Sequence, residues 1–429
     1  MDPGLILIIA FLFLLLLGLP IATALGAVAI FAIWYANLGI PVVSSNVYAG
    51  IAKFPLLAIP FFITAGIILE RCGVSKRLVH LTSLLVGAVP GGLAIVAILV
   101  CVFFGGISGS GPADAAAIGA VLIPAMARKN YRKDFSAALI AAAGSTAIVI
   151  PPSIAFILYG VIMSVSVPAL FAGGILPGVL AGLSLIIPAY LISKKHGYAG
   201  ERRGTLREIL LAFKDAFWGL LAPLVILGGI YGGIFTATES AVVAIFYGLL
   251  VGFVIYRTLN WKALYEILVD SALSSAVVLL IVALAGLYGW AAATLGVVDR
   301  SAKLILSIST NEWVVLALVN IMLLIAGMLL DAISIYYICL PILIPVMAHF
   351  HWDPLWFGVV MTLNLAIGQF TPPVAVNLYV TTNLAQVPFE KVSVATIPFI
   401  LAMVGSLVLV VLFPWMSLYL PRLWGLYAR

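Results

Sequence analysis

Charge is what this sequence has least of. Only 8% of its 429 residues are Asp, Glu, Lys or Arg, against 65% hydrophobic, and the mean hydropathy is +1.27. Such a balance excludes a soluble globular domain and puts the chain in lipid. Cysteine is almost as scarce. Cys72, Cys101 and Cys339 lie in apolar sequence without metal-ligand spacing, so they indicate neither a disulfide framework nor a zinc site and read as small packing residues. The four histidines form no ligand pair within a span. A Walker-type glycine loop is also missing, so ATP is not the energy source on this chain. Without a clustered nucleophile, base or metal set inside the spans, an enzyme is not indicated.

What is present is apolar sequence. A spanning helix needs about 20 apolar residues. Uncharged stretches of that kind recur from Leu5 to Leu420, enough for roughly ten to twelve crossings. The first lacks a basic start and a small-residue cleavage site, so it reads as a retained span rather than a signal peptide. The net charge of +6 is then a topology signal and does not imply a nucleic-acid partner. The longest polar stretch, Ser193 to Asp215, ends in Leu206, Ile209, Leu210, Phe213 and Phe217 at helical spacing, with Arg207 and Lys214 opposite. It predicts an interfacial amphipathic helix, either a docking brace or a cytoplasmic connector on the headgroups.

One displacement organises the chain. The 221 positions from Gly106 to Gly327 also carry Leu122-Ile123-Pro124 onto Leu343-Ile344-Pro345, Pro151-Pro152 onto Pro372-Pro373, and Pro177 onto Pro398. Four coincident prolines, within a match of about 70 residues in each half, point to two copies of one unit. Arg71, Lys76 and Arg77 precede the first copy, and Arg128, Lys129, Arg132 and Lys133 follow it. Those flanks are expected in the cytoplasm. The second copy has only Arg300 and Lys303 before it and His349, His351 and Asp353 after it, which reads as the external side. Five predicted crossings lie between (134–165, 168–193, 216–236, 238–256 and 270–297), and an odd number inverts the second copy. Both chain ends then fall outside.

Within the first copy, Gly92 to Phe104 runs into Gly105-Gly106-Ile107-Ser108-Gly109-Ser110-Gly111-Pro112 and resumes as an Ala-rich helix from Ala113 to Met126. Neither arm is comfortably long enough to span, so the pair predicts a re-entrant hairpin. Its broken backbone is tolerated only where protein or a water-filled cavity covers it. Pro112 and Asp114 start the return helix favourably, and Asp114 is either a helix-start carboxylate or part of the site. The hydroxyls of Ser108 and Ser110 either bind a cation or substrate or satisfy the broken helix. The second copy repeats the plan from Trp313 to Ala326, through Gly327 to Ser334, and back past Pro341 and Pro345. Asp331 falls in register with Ser110. It is a functional candidate by its predicted depth and equally a candidate cap for the return helix.

A broken helix follows each hairpin: Gly144 to Ser153 around Pro151-Pro152, and Ala366 to Pro373 around Pro372-Pro373. Tandem prolines remove two amide donors. The carbonyls they free, beside Ser145, Thr146, Ser153 and Thr371, suit a small hard cation. The predicted sodium ligands are therefore Ser108, Gly109, Ser110, Ser145, Thr146, Pro151 and Ser153 in one half and Gly327, Asp331, Gly368, Thr371 and Pro372 in the other. Predicted substrate contacts are Ser108, Ser110, Pro152, Ser334, Pro373 and Asn377, the last of these either on substrate or on neighbouring backbone. Glu239, in Thr236-Ala237-Thr238-Glu239, is expected to cap a helix.

Phe103 to Ser110 leading to Ala113-Asp114, Ile150-Pro151-Pro152-Ser153, Gly327-Met328-Leu329-Leu330-Asp331 and Ile367 to Pro373 together resemble the large membrane subunit of TRAP transporters, the DctM-type family. The resemblance covers essentially the whole chain. It implies a bacterial inner-membrane importer driven by two or more sodium ions. A soluble periplasmic binding protein would deliver an organic acid (a C4-dicarboxylate, sialic acid or a related carboxylate) to this subunit and a small four-helix partner. The hairpins and broken helices would then move as an elevator against a scaffold made of the first, second and last spans of each half. Two residues depart from the family pattern: Ala366 where glutamate is common, and Ala375 where glycine is common.

The expected architecture is thus an all-α integral membrane protein with two inverted repeats of elevator type. Residues 1–193 form the first repeat, with its hairpin at about 92–127 and its broken helix at 134–165. Residues 194–215 form the connector. Residues 216–429 form the second repeat, with its hairpin at about 313–349 and its broken helix at 354–385. The alternative is a self-sufficient sodium-coupled anion carrier of the same hairpin architecture.

Overall fold

The computed structural model describes residues 2–200 and 202–427, and among them there is no strand. The chain opens with α1 (Pro3–Leu16), α2 (Ile21–Tyr35), α3 (Pro41–Ile51), α4 (Ala58–Arg71, entered through a 3-10 turn from Phe54) and α5 (Val74–Val86). Next come α6 (Gly92–Ser108), α7 (Gly111–Arg128), α8 (Lys133–Ser145), α9 (Ile154–Met163) and α10 (Val167–Lys195). The middle is α11 (Leu206–Tyr231), α12 (Ala237–Leu250, extended by a π turn to Ile255), α13 (Trp261–Thr294) and α14 (Val297–Ile308). The last part holds α15 (Glu312–Leu329), α16 (Ala332–Phe350), α17 (Pro354–Gly368), α18 (Val376–Ala385), α19 (Phe389–Leu412) and α20 (Trp415–Leu423).

Local sequence explains the starts. Thr205 with Glu208 and Thr236 with Glu239 close reciprocal capping boxes at α11 and α12, so Glu239 caps its helix as expected. Asn260 and Asp353 cap α13 and α17 with their own side chains. Pro112, Pro168 and Pro354 sit in first turns, where a missing N–H costs nothing.

Among the described residues, eight helices are long and apolar enough to cross a membrane, fewer than the ten to twelve crossings expected. The difference lies in breaks: α8 with α9, and α17 with α18, divide apolar sequence into pieces of 10 to 15 residues. The first apolar stretch also falls into two short helices, α1 with 14 residues and α2 with 15. The amphipathic segment is not a separate interfacial helix. With no glycine or proline between Leu206 and Phe217, it continues without a break into the apolar part of α11, a single helix of 26 residues. Among the described residues, the non-helical part of the connector shrinks to 196–200 and 202–205. Likewise α13 begins at Trp261, nine residues before the crossing expected at 270.

Burial separates two kinds of helix. Every residue of α8 from Asp134 to Ser145, and every residue of α17 from Leu355 to Gly368, is buried. In α13 only 28% of the most apolar window is buried, and Leu268, Leu273, Val277 and Leu280 are exposed. α8 packs among α6, α7, α18 and α19, and α17 among α9, α10, α15 and α19. Each broken helix is thereby held at the centre of the fold.

Candidate functional site

The site grows from two helix ends and two proline breaks. α6 stops at Ser108, Gly109 takes a left-handed φ of 60°, and Ser110 stands at the N-cap of α7. Opposite it, α8 ends at Ser145, a 3-10 turn covers Thr146–Ile148, the Pro151-Pro152 peptide is cis, and Ser153 caps α9 by accepting from the Phe156 N–H. The two pieces touch through their backbones: a Cβ on Gly109 would stand 2.4 Å from the Pro152 carbonyl oxygen. A few residues earlier, a Cβ on Gly105 would stand 2.8 Å from Ala147 Cα. Only glycine permits that approach at Gly109.

The second half uses the same parts. α15 ends at Leu329, and Asp331 caps α16 by accepting from the Ile333 and Ser334 N–H groups (2.9 and 3.2 Å) and from the Ser334 hydroxyl (2.6 Å). The break holds the cis peptide Pro372-Pro373 between α17 and α18. Val374 N–H donates to the Met328 carbonyl at 3.1 Å. A Cβ on Gly327 would stand 3.2 Å from Gly368 Cα, so tip and break again meet backbone to backbone. Residues 108–110 therefore lie with 145–153, and residues 327–334 with 368–374.

The hydroxyls at these breaks are oriented in one manner. Ser145, Thr146 and Thr371 donate their protons to the carbonyls of Ala142 (2.8 Å), Ala143 (2.7 Å) and Ile367 (2.6 Å), and Ser153 donates to that of Ile148. Each oxygen keeps lone pairs free of its own proton. Together with proline-freed carbonyls, these are the donor atoms that a small hard cation takes. Ser108, Ser145, Thr146, Ser153, Ser334, Thr371 and Asn377 are all buried, and Pro151 and Pro152 are as well, whereas Pro373 is exposed.

Asn377 joins the halves. Its side-chain amide donates to the Ala141 carbonyl of α8 at 3.1 Å, while its Oδ1 finds no partner. Gln369 ends close by: a Cβ on Gly111 would stand 2.2 Å from Gln369 Oε1 and 3.2 Å from Asn377 Nδ2. The Gln369 Oε1 is also buried without a partner. Sequence reasoning did not select Gln369, although it sits in the quoted break motif.

Asp114 acquires a larger place than its position in a first turn suggests. It is fully buried, accepts from the Ser108 hydroxyl through Oδ1, and leaves Oδ2 unpartnered. Ser110 N–H donates back to Ser108 Oγ at 3.2 Å, so one carboxylate organises the tip. Next to it lies a cavity of about 160 Å³ lined by Ser108, Ser110 and Ala113 of the tip, Ile154 of α9, Glu70 of α4 and Ser274 of α13. Glu70 had no signal in sequence, since only the packing of α4 against α6 brings it to the tip. Among the described residues, no group of three His, Cys, Asp or Glu side chains could hold a transition metal.

The geometry has known counterparts. Residues 8–416 match the family model described as "Tripartite ATP-independent periplasmic transporter, DctM component". The isethionate TRAP transporter permease protein DctMQ of Oleidesulfovibrio alaskensis is 41% identical over 96% of this chain, which spans 65% of that relative's length. The C4-dicarboxylate TRAP transporter large permease protein DctM of Rhodobacter capsulatus is 36% identical over 96% of this chain and 97% of its own. The sialic acid large permease SiaM of Vibrio cholerae is 36% identical over 98% and 99%. Among solved structures, the YdaH transporter of Alcanivorax borkumensis superimposes with a TM-score of 0.67 over 97% of this chain and 100% of its own, at 14% identity, a likeness of fold alone. The chain therefore belongs to the DctM family of tripartite ATP-independent periplasmic transporters, whose members are multi-pass membrane permeases and not enzymes.

Proposed function

We propose that this chain is the translocating subunit of a sodium-coupled importer of an organic anion, with each half of the molecule supplying one sodium site. The observation that carries the reading is the paired backbone contact of Gly109 with Pro152 and of Gly327 with Gly368. Two helix ends, each pressed on a proline break rich in carbonyl and hydroxyl oxygen, offer two similar cation sites. The halves are inverted copies in this reading, and the hairpins and breaks move together as an elevator. Ser108, Ser110, Pro152, Ser334, Pro373 and Asn377 face the substrate, whose negative charge the amide-rich end of α7 favours.

The relatives' names support an organic anion, since they specify isethionate, a C4-dicarboxylate, sialic acid and 2,3-diketo-L-gulonate. The tripartite family supports two further components, a periplasmic binding protein and a small membrane subunit. Two sodium ions, each falling down a tenfold gradient, release roughly 1.4 kcal/mol apiece. One net charge moving through 100 mV adds about 2.3 kcal/mol. The total of about 5 kcal/mol sustains an accumulation of several thousandfold for a monovalent acid.

Reconstitution tests the assignment. In liposomes, the purified single chain is expected to take up none of these four anions under a sodium gradient, and uptake is expected once the small subunit and the loaded binding protein are added. Robust sodium-driven uptake by the single chain would replace this reading with that of a self-sufficient carrier.

A further inference from the structure

The ends of α8, α10 and α19 enclose a cleft that the transport cycle described above does not use. Two adjoining cavities, of about 720 and 260 Å³, share Arg132, Asp134, Lys391 and Val394 as walls. Lys133 lines the larger cavity and Lys195 the smaller, so four cations converge on a cleft that holds two carboxylates, Asp134 and Glu390. Arg132 takes Asp134 in a two-pronged ion pair. Lys133, Lys195 and Lys391 have no carboxylate partner among the described residues.

The cleft has a fixed floor. Tyr198 stacks on Tyr131 with ring centroids 4.1 Å apart, Phe135 lies 5.8 Å from Tyr198 and 6.0 Å from Phe399, and Tyr198 Oη accepts from the Arg132 N–H at 3.1 Å. The turn after α10 is thereby tied to the start of α8, beside Lys195 and Arg132. From the cations, exposed apolar ridges run along both neighbouring helices: Val394, Ile397 and Leu401 on α19, and Leu191 and Ile187 on α10. α10 and α19 pack against each other, so the two ridges stand on adjoining helices with the seam between them as a groove.

A cationic mouth joined to an apolar groove matches an amphiphile with an anionic head and acyl tails. We propose that this cleft binds an anionic phospholipid, its phosphate among Lys133, Lys195 and Lys391 and its chains along the α10–α19 groove. Cations between membrane helices near a membrane surface attract such headgroups, and the tails gain by covering exposed Val394 and Leu401. A free phosphate would satisfy the cations but leave the groove bare. The proposal is independent of sodium coupling and of substrate.

Native mass spectrometry of the purified full chain, titrated in parallel with phosphatidylglycerol and phosphatidylcholine of the same acyl chains, tests it. Wild type is expected to retain one phosphatidylglycerol in preference to phosphatidylcholine, with 10 mM inorganic phosphate failing to displace it. Each cation near an anionic headgroup is worth about fivefold in affinity, so the triple variant Lys133→Gln, Lys195→Gln, Lys391→Gln should lose that preference. A control with equal charge change, Lys76→Gln, Lys262→Gln, Lys303→Gln, should keep it. Leu401→Asp, which lies on the apolar ridge outside both cavities, should weaken phosphatidylglycerol and not phosphate. Equal retention by the triple variant and wild type, an equal loss in the control, or displacement by free phosphate would each overturn the lipid assignment.

Discussion

Gly368 lies backbone to backbone against Gly327: a methyl group at Gly368 would stand 2.6 Å from the Gly327 carbonyl carbon and 2.7 Å from its Cα and O. No side-chain rotation relieves that overlap, because the colliding atoms are main chain. Gly368→Ala is therefore expected to cost about 2 to 3 kcal/mol, the upper range for overpacking. Gly405→Ala, where nothing lies within 4 Å, should leave the melting temperature unchanged or raise it slightly. Thermal unfolding of the two variants in one detergent makes the comparison. Equal melting temperatures would mean that the tip and the break are not in contact.

Ala375 is the second backbone case. It adopts φ 51° and ψ 73°, the left-handed region that favours glycine. The strain of about 1 kcal/mol that glycine removes is offset by the extra freedom glycine gives the unfolded chain. Ala375→Gly is thus expected to hold or raise the melting temperature, and Ala375→Val to lower it. A valine variant as stable as the wild type would contradict the backbone assigned here.

Arg77 ties three helices together. Its guanidinium lies 3.7 Å from the Tyr256 ring centroid, Nε donates to Asp215 at 3.1 Å, and Nη1 donates to the Cys72 and Gly73 carbonyls. Lysine supplies the charge but neither the planar stack nor the fork. Arg77→Lys should cost about 1 kcal/mol, since Asp215 is 57% exposed and solvent screens the pair from that side. Double variants with Tyr256→Leu should be less than additive, as expected for groups in contact. Full additivity would show the stack to be energetically silent.

Topology is checked by labelling. Cys72, Cys101 and Cys339 are all buried, so the wild-type background with an impermeant thiol reagent should be low. A cysteine at His351 is expected to react from outside in right-side-out vesicles, and one at Asn130 is not. Both positions are turn residues with positive φ, so local strain affects them alike. The opposite labelling pattern would refute the external placement of the second half's flank.

Local signals in the sequence transferred well to the structure. Thr236 with Glu239 is a capping box because the pattern closes within four residues, and Asp331 caps α16 because the N–H donors it accepts from lie two and three residues on. The proline pairs marked both helix breaks, since Pro removes donors wherever it falls. The continuity of α11 was also within reach: the segment 206–217 has no breaker, and only its change from amphipathic to apolar suggested two helices. The burial of Asp114, the approach of Gly109 to Pro152 and the meeting of Gln369 with Gly111 depend on helices far apart in sequence. No periodicity encodes them. Glu70 faces the tip for the same reason, and in sequence it is an ordinary charge at a helix end.

The central claim is coupling to sodium through the two tip-and-break contacts. Proteoliposomes holding this chain with its small subunit and binding protein should accumulate the organic anion under an inward sodium gradient with no proton gradient. Ser108→Ala and Thr371→Ala, which remove one buried hydroxyl from each half, should each raise the sodium concentration for half-maximal uptake while protein level stays near normal. Wild-type sodium curves in both variants, or uptake that follows a proton gradient with sodium absent, would contradict the account.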